Sequence, residues 1–178
     1  MRKLKLEELG RLSIEAFKEE EKLPIIVVLD NIRSMHNVGA VLRSSDAFKV
    51  EKVYMCGITP SPPHREIRKT AIGAEDSVNW EKIAETPKLL EELKKEGYTI
   101  LAIEQTDSSI PLSAFKTNPS GKYAVVLGHE VSGVSDEAIA LSDLALEIPQ
   151  FGTKHSLNIS VATGIVLYKL SVEGLMVG

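Results

Sequence analysis

The chain has 178 residues, of which 43% are apolar and 26% charged, a composition typical of one globular domain with a substantial core. A formal net charge of −4 argues against a uniformly basic nucleic-acid-binding body but is compatible with local basic patches. The single cysteine, Cys56, excludes an intramolecular disulfide framework and a cysteine-rich zinc site, and its place at a strand end predicts a buried apolar role. The sequence shows no export signal and no membrane-spanning apolar run, so we predict a cytoplasmic protein without membrane contact.

The chain begins with an amphipathic pattern that predicts a helix over about 4–21, with apolar residues on one face. We interpret residues 1–23 as an N-terminal helical extension. Residues 24–178 then form the main domain.

Buried strands alternate with helical patterns through the rest of the chain. Strands are predicted at 24–30, 51–57, 98–104, 123–128 and 144–149. Four helices are predicted. Two cover 37–48 and 156–170, the third has Thr86 as its N-cap and ends before Gly97, and the fourth is short and begins after an N-cap at Ser135. The nearly unbroken apolar runs indicate an α/β fold with a mainly parallel sheet and helices on both faces. The last helix is apolar almost all round, which predicts burial in a core or an interface.

Three polar segments interrupt this framework, each at the carboxyl end of a predicted strand, where open α/β sheets place their ligand sites. They contain Asn37, Gly39 and Arg43; Gly128, Glu130 and Gly133; and Pro149, Ser156 and Asn158. Taken singly, each segment has a plainer interpretation. Asn37, Ser156 and Asn158 could cap helices, the glycines could serve turns only, and Arg43 could pair with Asp46 on the surface.

In this order and spacing the three segments resemble the SPOUT superfamily, specifically its SpoU or TrmH-type branch of RNA ribose 2′-O-methyltransferases. The motifs are N-x-G-x-x-x-R at 37–43, L-G-x-E-x-x-G at 127–133, and I-P followed by S-L-N-x-S at 148–160. The resemblance covers roughly residues 24–170. Two small departures are His129, where the branch usually has Asn, and Gln150–Phe151, where Met usually follows Ile-Pro.

This resemblance implies a C-terminal trefoil knot, S-adenosylmethionine bound within it, and an obligate homodimer. The implied cofactor-binding residues are Leu127, Gly128, Gly133, Ile148, Pro149, Ser156 and Leu157. The implied catalytic residues are Arg43, Asn37, Glu130, Ser156 and Asn158. In such enzymes the arginine activates the ribose hydroxyl. Because a guanidinium is effectively always protonated, phosphate binding and oxyanion stabilisation are the alternative role for Arg43.

The predicted substrate is structured RNA, with tRNA preferred and ribosomal RNA as the alternative. A catalytically silent RNA-binding module of the same fold is the competing hypothesis. The segment 62–76 concentrates basic residues that could contact phosphates, or it could be an ordinary solvated loop. These residues are His64, Arg65, Arg68 and Lys69, to which Arg43 is added as an RNA-binding residue. The four histidines show no metal-ligand spacing, so we predict no metal site.

Overall fold

Seven parallel strands form one sheet in the computed structural model, which describes residues 1–175. The strands are β1 (Leu23–Asp30), β2 (Val50–Cys56), β3 (Trp80–Ile83), β4 (Tyr98–Ile103), β5 (Ile110–Pro111), β6 (Lys122–Leu127) and β7 (Leu144–Glu147). Their order is β3-β2-β1-β6-β4-β7-β5, and every pairing is parallel. The prediction of an α/β fold with a mainly parallel sheet is confirmed. The edge strands β3 and β5 were not predicted because both are short and neither has a buried apolar run.

Helices cover both faces of this sheet. They are α1 (Ile14–Glu19), α2 (Met35–Ala47), α3 (Arg65–Ala71), α4 (Ala74–Ser77), α5 (Thr86–Lys95), α6 (Asp136–Leu141) and α7 (Ile159–Leu170), the last continued by a π-helical turn at Ser171–Leu175. Alternate residues of β1 enter two separate cores, as a strand period of two requires. Val27 packs with α2, α3 and α7, whereas Val28 packs with α5 and α6 on the opposite face.

The N-terminal segment differs from the continuous helix predicted over 4–21. A 3₁₀ turn at Leu6–Leu9 ends at Gly10, which adopts a left-handed conformation with φ of 59°. A separate helix, α1, then begins. The Ser13 side chain caps it by accepting a hydrogen bond from the Ala16 amide. Gly10 and Ser13 therefore divide the predicted helix. The division of the chain at residue 23 stays a prediction.

Three helix starts also differ from the sequence pattern. Helix α2 begins at Met35 rather than Asn37, because the Ser34 hydroxyl caps it by accepting from the Asn37 amide at 3.2 Å. Helix α5 begins at Thr86, whose hydroxyl donates to the buried Asp30 carboxylate at 2.6 Å instead of capping. Helix α7 begins after Asn158, three residues later than predicted. The side chain of Asn37 is thus free of capping and available to another partner.

Candidate active site

A cavity of about 650 Å³ opens at the carboxyl ends of β4, β6 and β7. We call it the motif cavity, because the second and third motif segments form much of its wall. Six of the seven predicted cofactor-binding residues line it: Leu127, Gly128, Gly133, Ile148, Ser156 and Leu157. The seventh, Pro149, does not line the wall; its neighbours Ile148 and Gln150 do. The structure therefore brings together the second and third motif segments, which residues 134–147 separate in the sequence.

The loop after β6 is closed on itself, and this explains its two glycines. His129 and Gly133 exchange backbone hydrogen bonds at 2.9 and 2.8 Å. A Cβ added at Gly128 would lie 2.0 Å from the Val134 nitrogen, and no real Cβ approaches backbone so closely. Gly133 has φ of 73°, the left-handed region that favours glycine. The glycines are thus needed for the tight loop that shapes the motif cavity.

His129, one of the two departures from the family pattern, supports the same loop. Its ring Nδ1 accepts hydrogen bonds from the amides of Val131 and Ser132 at 3.1 and 3.3 Å. Asparagine commonly accepts such bonds from amides a few residues ahead in turns. The histidine therefore fills the local role that an asparagine could fill.

Glu130 connects the second motif to the first. Its carboxylate accepts hydrogen bonds from the amides of Arg33 and Ser34, each at 3.0 Å, and from the Asn37 side-chain amide at 3.0 Å. Partial burial works to raise the pKa of Glu130, but the hydrogen bonds that its carboxylate accepts together outweigh burial, so this pKa lies below its ordinary value. A carboxylate held ionised by three donors is a poor proton acceptor. Glu130 is therefore suited to positioning the start of α2.

Asn37 extends this connection to the third motif. Its side-chain oxygen accepts from the Asn158 side-chain amide at 3.1 Å, and the Asn158 oxygen in turn accepts from the Ser160 amide at 2.9 Å. One chain of hydrogen bonds, Glu130–Asn37–Asn158–Ser160, thus joins all three motif segments. Asn158 also caps α7, so the plainer capping interpretation is correct for it and does not exclude the second contact.

Arg43 lies outside the motif cavity. Its side chain is exposed and lines a separate cavity of about 360 Å³, here called the Arg43 cavity, together with Ser44, Lys69, Thr70 and Ser160. The suggested pairing with Asp46 is wrong, because the Asp46 carboxylate accepts from the Ser77 hydroxyl at 2.5 Å. Among residues 1–175 the Arg43 guanidinium makes no hydrogen bond or ion pair. Within a single chain, Arg43 therefore shares a cavity with Ser160, the last residue of the third motif, but lies outside the motif cavity.

The basic segment 62–76 is structured rather than the solvated loop considered as an alternative. His64 caps α3 by accepting from the Glu66 amide at 3.2 Å. Lys69 pairs with Glu66 at 2.7 Å and Arg68 with Glu75 at 3.0 Å. Lys69 lines the Arg43 cavity, while His64, Arg65 and Arg68 line a third cavity of about 450 Å³. The predicted RNA-binding residues thus divide between two cavities.

Sequence reasoning missed three acidic residues near the site. Glu104 and Glu147 line the motif cavity, and Glu104 accepts from the Val134 amide at 3.1 Å. Asp30 is buried and accepts from the Ser135 amide at 2.9 Å, which holds the far end of the same loop. The available signal was their position, because Asp30 and Glu104 end predicted strands and Glu147 lies near the end of the predicted strand 144–149. Acidic residues there lie at the ligand-binding edge of a parallel sheet.

The cysteine and the metal-ligating types of side chain in residues 1–175 bear on the chemistry of this site. Burial raises the pKa of Cys56 to about 12, so its thiol stays protonated. Within residues 1–175 no group of three or more histidine, cysteine, aspartate or glutamate side chains is placed to hold a metal ion. In the same residues no helix has the length and apolar character that crossing a bilayer requires.

Comparison with known proteins places the three motifs in one family. The SpoU rRNA Methylase family profile matches residues 24–168. A tRNA (guanosine(18)-2′-O)-methyltransferase from Aquifex aeolicus is 33% identical over 158 residues, which cover 85% of this chain and 70% of the relative. A 23S rRNA (guanosine-2′-O-)-methyltransferase RlmB from Neisseria meningitidis is 33% identical over 144 residues, covering 81% of this chain. The chain spans only 56% of that second relative's length.

Solved structures have the same fold. The A. aeolicus TrmH/SpoU tRNA modifying enzyme superposes with a TM-score of 0.78 at 29% identity, covering 90% of this chain and 79% of that chain. An AdoMet-bound rRNA methyltransferase from Sinorhizobium meliloti gives a TM-score of 0.78 at 23% identity, covering 92% of this chain and 61% of that chain. At that lower identity the second match shows the fold alone.

Proposed function

The chain belongs to the SpoU rRNA Methylase family, and from this membership we propose that it is an RNA ribose 2′-O-methyltransferase that uses S-adenosylmethionine. The observation that carries the proposal is the hydrogen-bond chain Glu130–Asn37–Asn158, which joins the three motif segments beside the motif cavity. A module that only bound RNA would not need this arrangement at a cavity of cofactor size. The silent-module hypothesis is therefore the weaker one.

The motif cavity fits the proposed cofactor in size and in chemistry. Its 650 Å³ lies in the range of small-molecule sites. No lysine or arginine lines it, whereas Glu104 and Glu147 do, and carboxylates suit a ligand with sulfonium and ammonium charges. Backbone groups of Gly128, Ile148 and Leu157 would surround its adenosine part. When bound, S-adenosylmethionine supplies the methyl group that is transferred.

Arg43 is the residue proposed to act on the RNA. Transfer to the ribose requires that the 2′-hydroxyl be held in place and that its developing negative charge be stabilised. A guanidinium offers a planar set of donors to an oxyanion or a phosphate and stays protonated, so stabilisation suits it better than proton removal. Lys69, which shares the Arg43 cavity and pairs with Glu66, adds a second cation beside the neighbouring RNA backbone.

For the substrate we propose tRNA first and ribosomal RNA as the alternative. The A. aeolicus relative, which is named for tRNA, is matched over 70% of its length, compared with 56% for the N. meningitidis relative named for 23S rRNA. More of the tRNA-modifying protein therefore has a counterpart here.

We further propose the trefoil knot that the family resemblance implies. Strand β6 is inserted between the earlier strands β1 and β4, and β7 follows on the far side of β4. Helix α6, between β6 and β7, packs with α5 on one face of the sheet. Helix α7, after β7, packs with α2 on the other face, so the chain crosses from one face to the other after β7. This path and the TM-score of 0.78 to the A. aeolicus structure support a threaded C-terminal segment.

Methyl transfer can be tested directly with radiolabelled S-adenosylmethionine. We expect the purified protein to label bulk tRNA from a strain lacking it, with the label on ribose and therefore resistant to release with the base. Ribosomal RNA serves as the parallel substrate. Cofactor binding without transfer to either RNA would favour the silent module, and label on a base would contradict the proposed reaction.

A homodimer formed through α7 is the second testable part of the proposal. Val161, Ile165, Tyr168 and Val172 repeat at helical spacing and are 50%, 39%, 49% and 36% exposed. Val161 also borders the Arg43 cavity, so a second copy packed on this stripe would bring a partner surface beside Arg43. Such an arrangement would complete a site that one chain leaves divided.

We expect Ile165→Glu to convert a dimer into a monomer, because it places a charge within this apolar stripe. Light scattering at micromolar protein concentration measures the change. The matched control is Ile58→Glu, which alters an isoleucine 64% exposed in the loop after β2 and should remain dimeric. A wild-type monomer with full activity would contradict the proposal.

A further inference from the structure

The third cavity, here called the Trp80 cavity, lies on the other side of α3 from the Arg43 cavity. Its wall includes Pro63, His64, Arg65, Arg68, Glu75 and Trp80, and its volume is about 450 Å³. None of its residues lines the motif cavity or the Arg43 cavity. We infer that it binds one nucleobase of the RNA, stacked on Trp80, with the adjoining phosphate held by Arg65 and Arg68. The inference rests on the proposed function.

Trp80 has the properties of a stacking platform. Its indole nitrogen donates to the Glu75 carbonyl at 3.1 Å, which restrains the orientation of the ring. One part of the side chain packs against the core, and the residue remains half-buried at the start of edge strand β3. A large aromatic ring that is already immobilised loses little entropy when a base stacks on it. Stacking of this kind is the usual way proteins hold single-stranded bases.

The charges around this ring suit a phosphate. Glu75 is the buried carboxylate of the cavity, and its two oxygens accept from Arg68 Nε and from the Gly73 amide, each at 3.0 Å. Its negative charge is therefore compensated. Arg68 uses only Nε in this pair and its side chain is 71% exposed, so its terminal nitrogens remain available. Arg65 is exposed and has no ion-pair partner within residues 1–175.

One further carboxylate, Asp76, completes the wall and is exposed. It would repel a phosphate placed directly against it but can accept hydrogen bonds from the amino or imino groups of a base. The arrangement therefore orients the nucleotide, with the phosphate toward Arg65 and the base edge toward Asp76.

Helix α3 connects this cavity to the proposed reaction site. Lys69 lies on the same helix and lines the Arg43 cavity, and seven helical residues span about 10 Å. An RNA strand that follows α3 would thus meet Arg65 and Arg68 at the Trp80 cavity and Lys69, which is paired with Glu66, at the Arg43 cavity. The base bound on Trp80 belongs to a nucleotide close to the one methylated, so this cavity contributes to the choice of target.

The chain has one tryptophan and four tyrosines, so emission excited selectively at the tryptophan reports this cavity alone. The probes are bulk tRNA and a single-stranded ribonucleotide 12-mer of mixed sequence. We expect both to quench Trp80 emission. By filter binding, Trp80→Ala should weaken RNA affinity about 5- to 150-fold, the scale of one lost stacking contact. Arg65→Glu should weaken it as well and flatten its salt dependence.

Three controls accompany this test. Lys95→Glu makes a like change of charge on α5, on the opposite face of the sheet, and should leave RNA affinity within about twofold of wild type, since a distant charge is screened. Calorimetric titration should show unchanged S-adenosylmethionine affinity in every variant. Trp80→Phe retains an aromatic face and should retain most of the RNA affinity. Because Arg65 is exposed, Arg65→Glu is expected to fold. It therefore tests the proposed base site even if Trp80→Ala does not fold.

The possible failures are distinguishable. Equal RNA affinity of wild type and Arg65→Glu, or no quenching by bound RNA, overturns the base site even where methyl transfer is normal. A wild-type protein that binds RNA on Trp80 without methylating it would contradict the proposed reaction but support the proposed base site.

Discussion

Replacing Arg43 with alanine is expected to lower the rate of methyl transfer about 100-fold or more, the scale of losing one oxyanion-stabilising donor. The melting temperature and the affinity for S-adenosylmethionine should stay nearly unchanged. The physical reason is that the Arg43 side chain is exposed, has no bonded partner within residues 1–175, and lies outside the motif cavity. Single-turnover transfer, thermal melting and calorimetric titration measure the three quantities.

Arg43→Lys separates the two roles that the arginine could have. Lysine retains the charge but lacks the planar guanidinium fork, so substantial rescue would indicate simple electrostatic stabilisation. Failure to rescue would indicate a role that needs guanidinium geometry. The matched control is Arg11→Ala, which removes another exposed arginine from the N-terminal segment and should transfer methyl normally. Unfolding of Arg43→Ala would indicate a structural role for the arginine, and a normal rate would show that it is not needed for transfer.

Gly128→Val is expected to abolish S-adenosylmethionine binding, which in the wild type should be of micromolar scale, about 8 kcal/mol in free energy. Any Cβ at this position would lie 2.0 Å from the Val134 nitrogen and 2.1 Å from the Gly133 carbonyl carbon. Because both are backbone atoms of a closed loop, the loop has to open, and it forms part of the cofactor wall. Gly128→Ala should act in the same direction with a smaller loss of stability.

The control for this change is Gly152→Val in the loop between Ile148 and Leu157. A Cβ added at Gly152 meets no heavy atom within 4 Å, and its φ lies outside the left-handed region. Calorimetric titration and thermal melting should both resemble the wild type. The pocket assignment would be wrong if Gly128→Ala stayed folded and bound the cofactor as tightly as the Gly152 variant.

Much of the framework could be predicted because its causes are local. The apolar runs that became β1, β2, β4, β6 and β7 are recognisable from a few neighbouring residues, and so is the alternation that gives a parallel sheet. The loop around Gly128 and Gly133 was predictable for the same reason, since glycine permits backbone geometries that other residues avoid. The short strand β3 was not predictable, because Trp80–Ile83 forms a strand only by pairing with β2.

By itself the sequence determined the α/β class, the three motif segments and the residues within them, because strand and turn preferences depend on adjacent side chains. Only the tertiary structure decided which of these residues meet. The Glu130 carboxylate bonds the Arg33 amide across 97 positions, and Asn158 bonds Asn37 across 121. Arg43, six residues after Asn37 on α2, lines the Arg43 cavity together with Ser160 and not the motif cavity. Such contacts depend on how helices pack on the sheet, which no local pattern specifies.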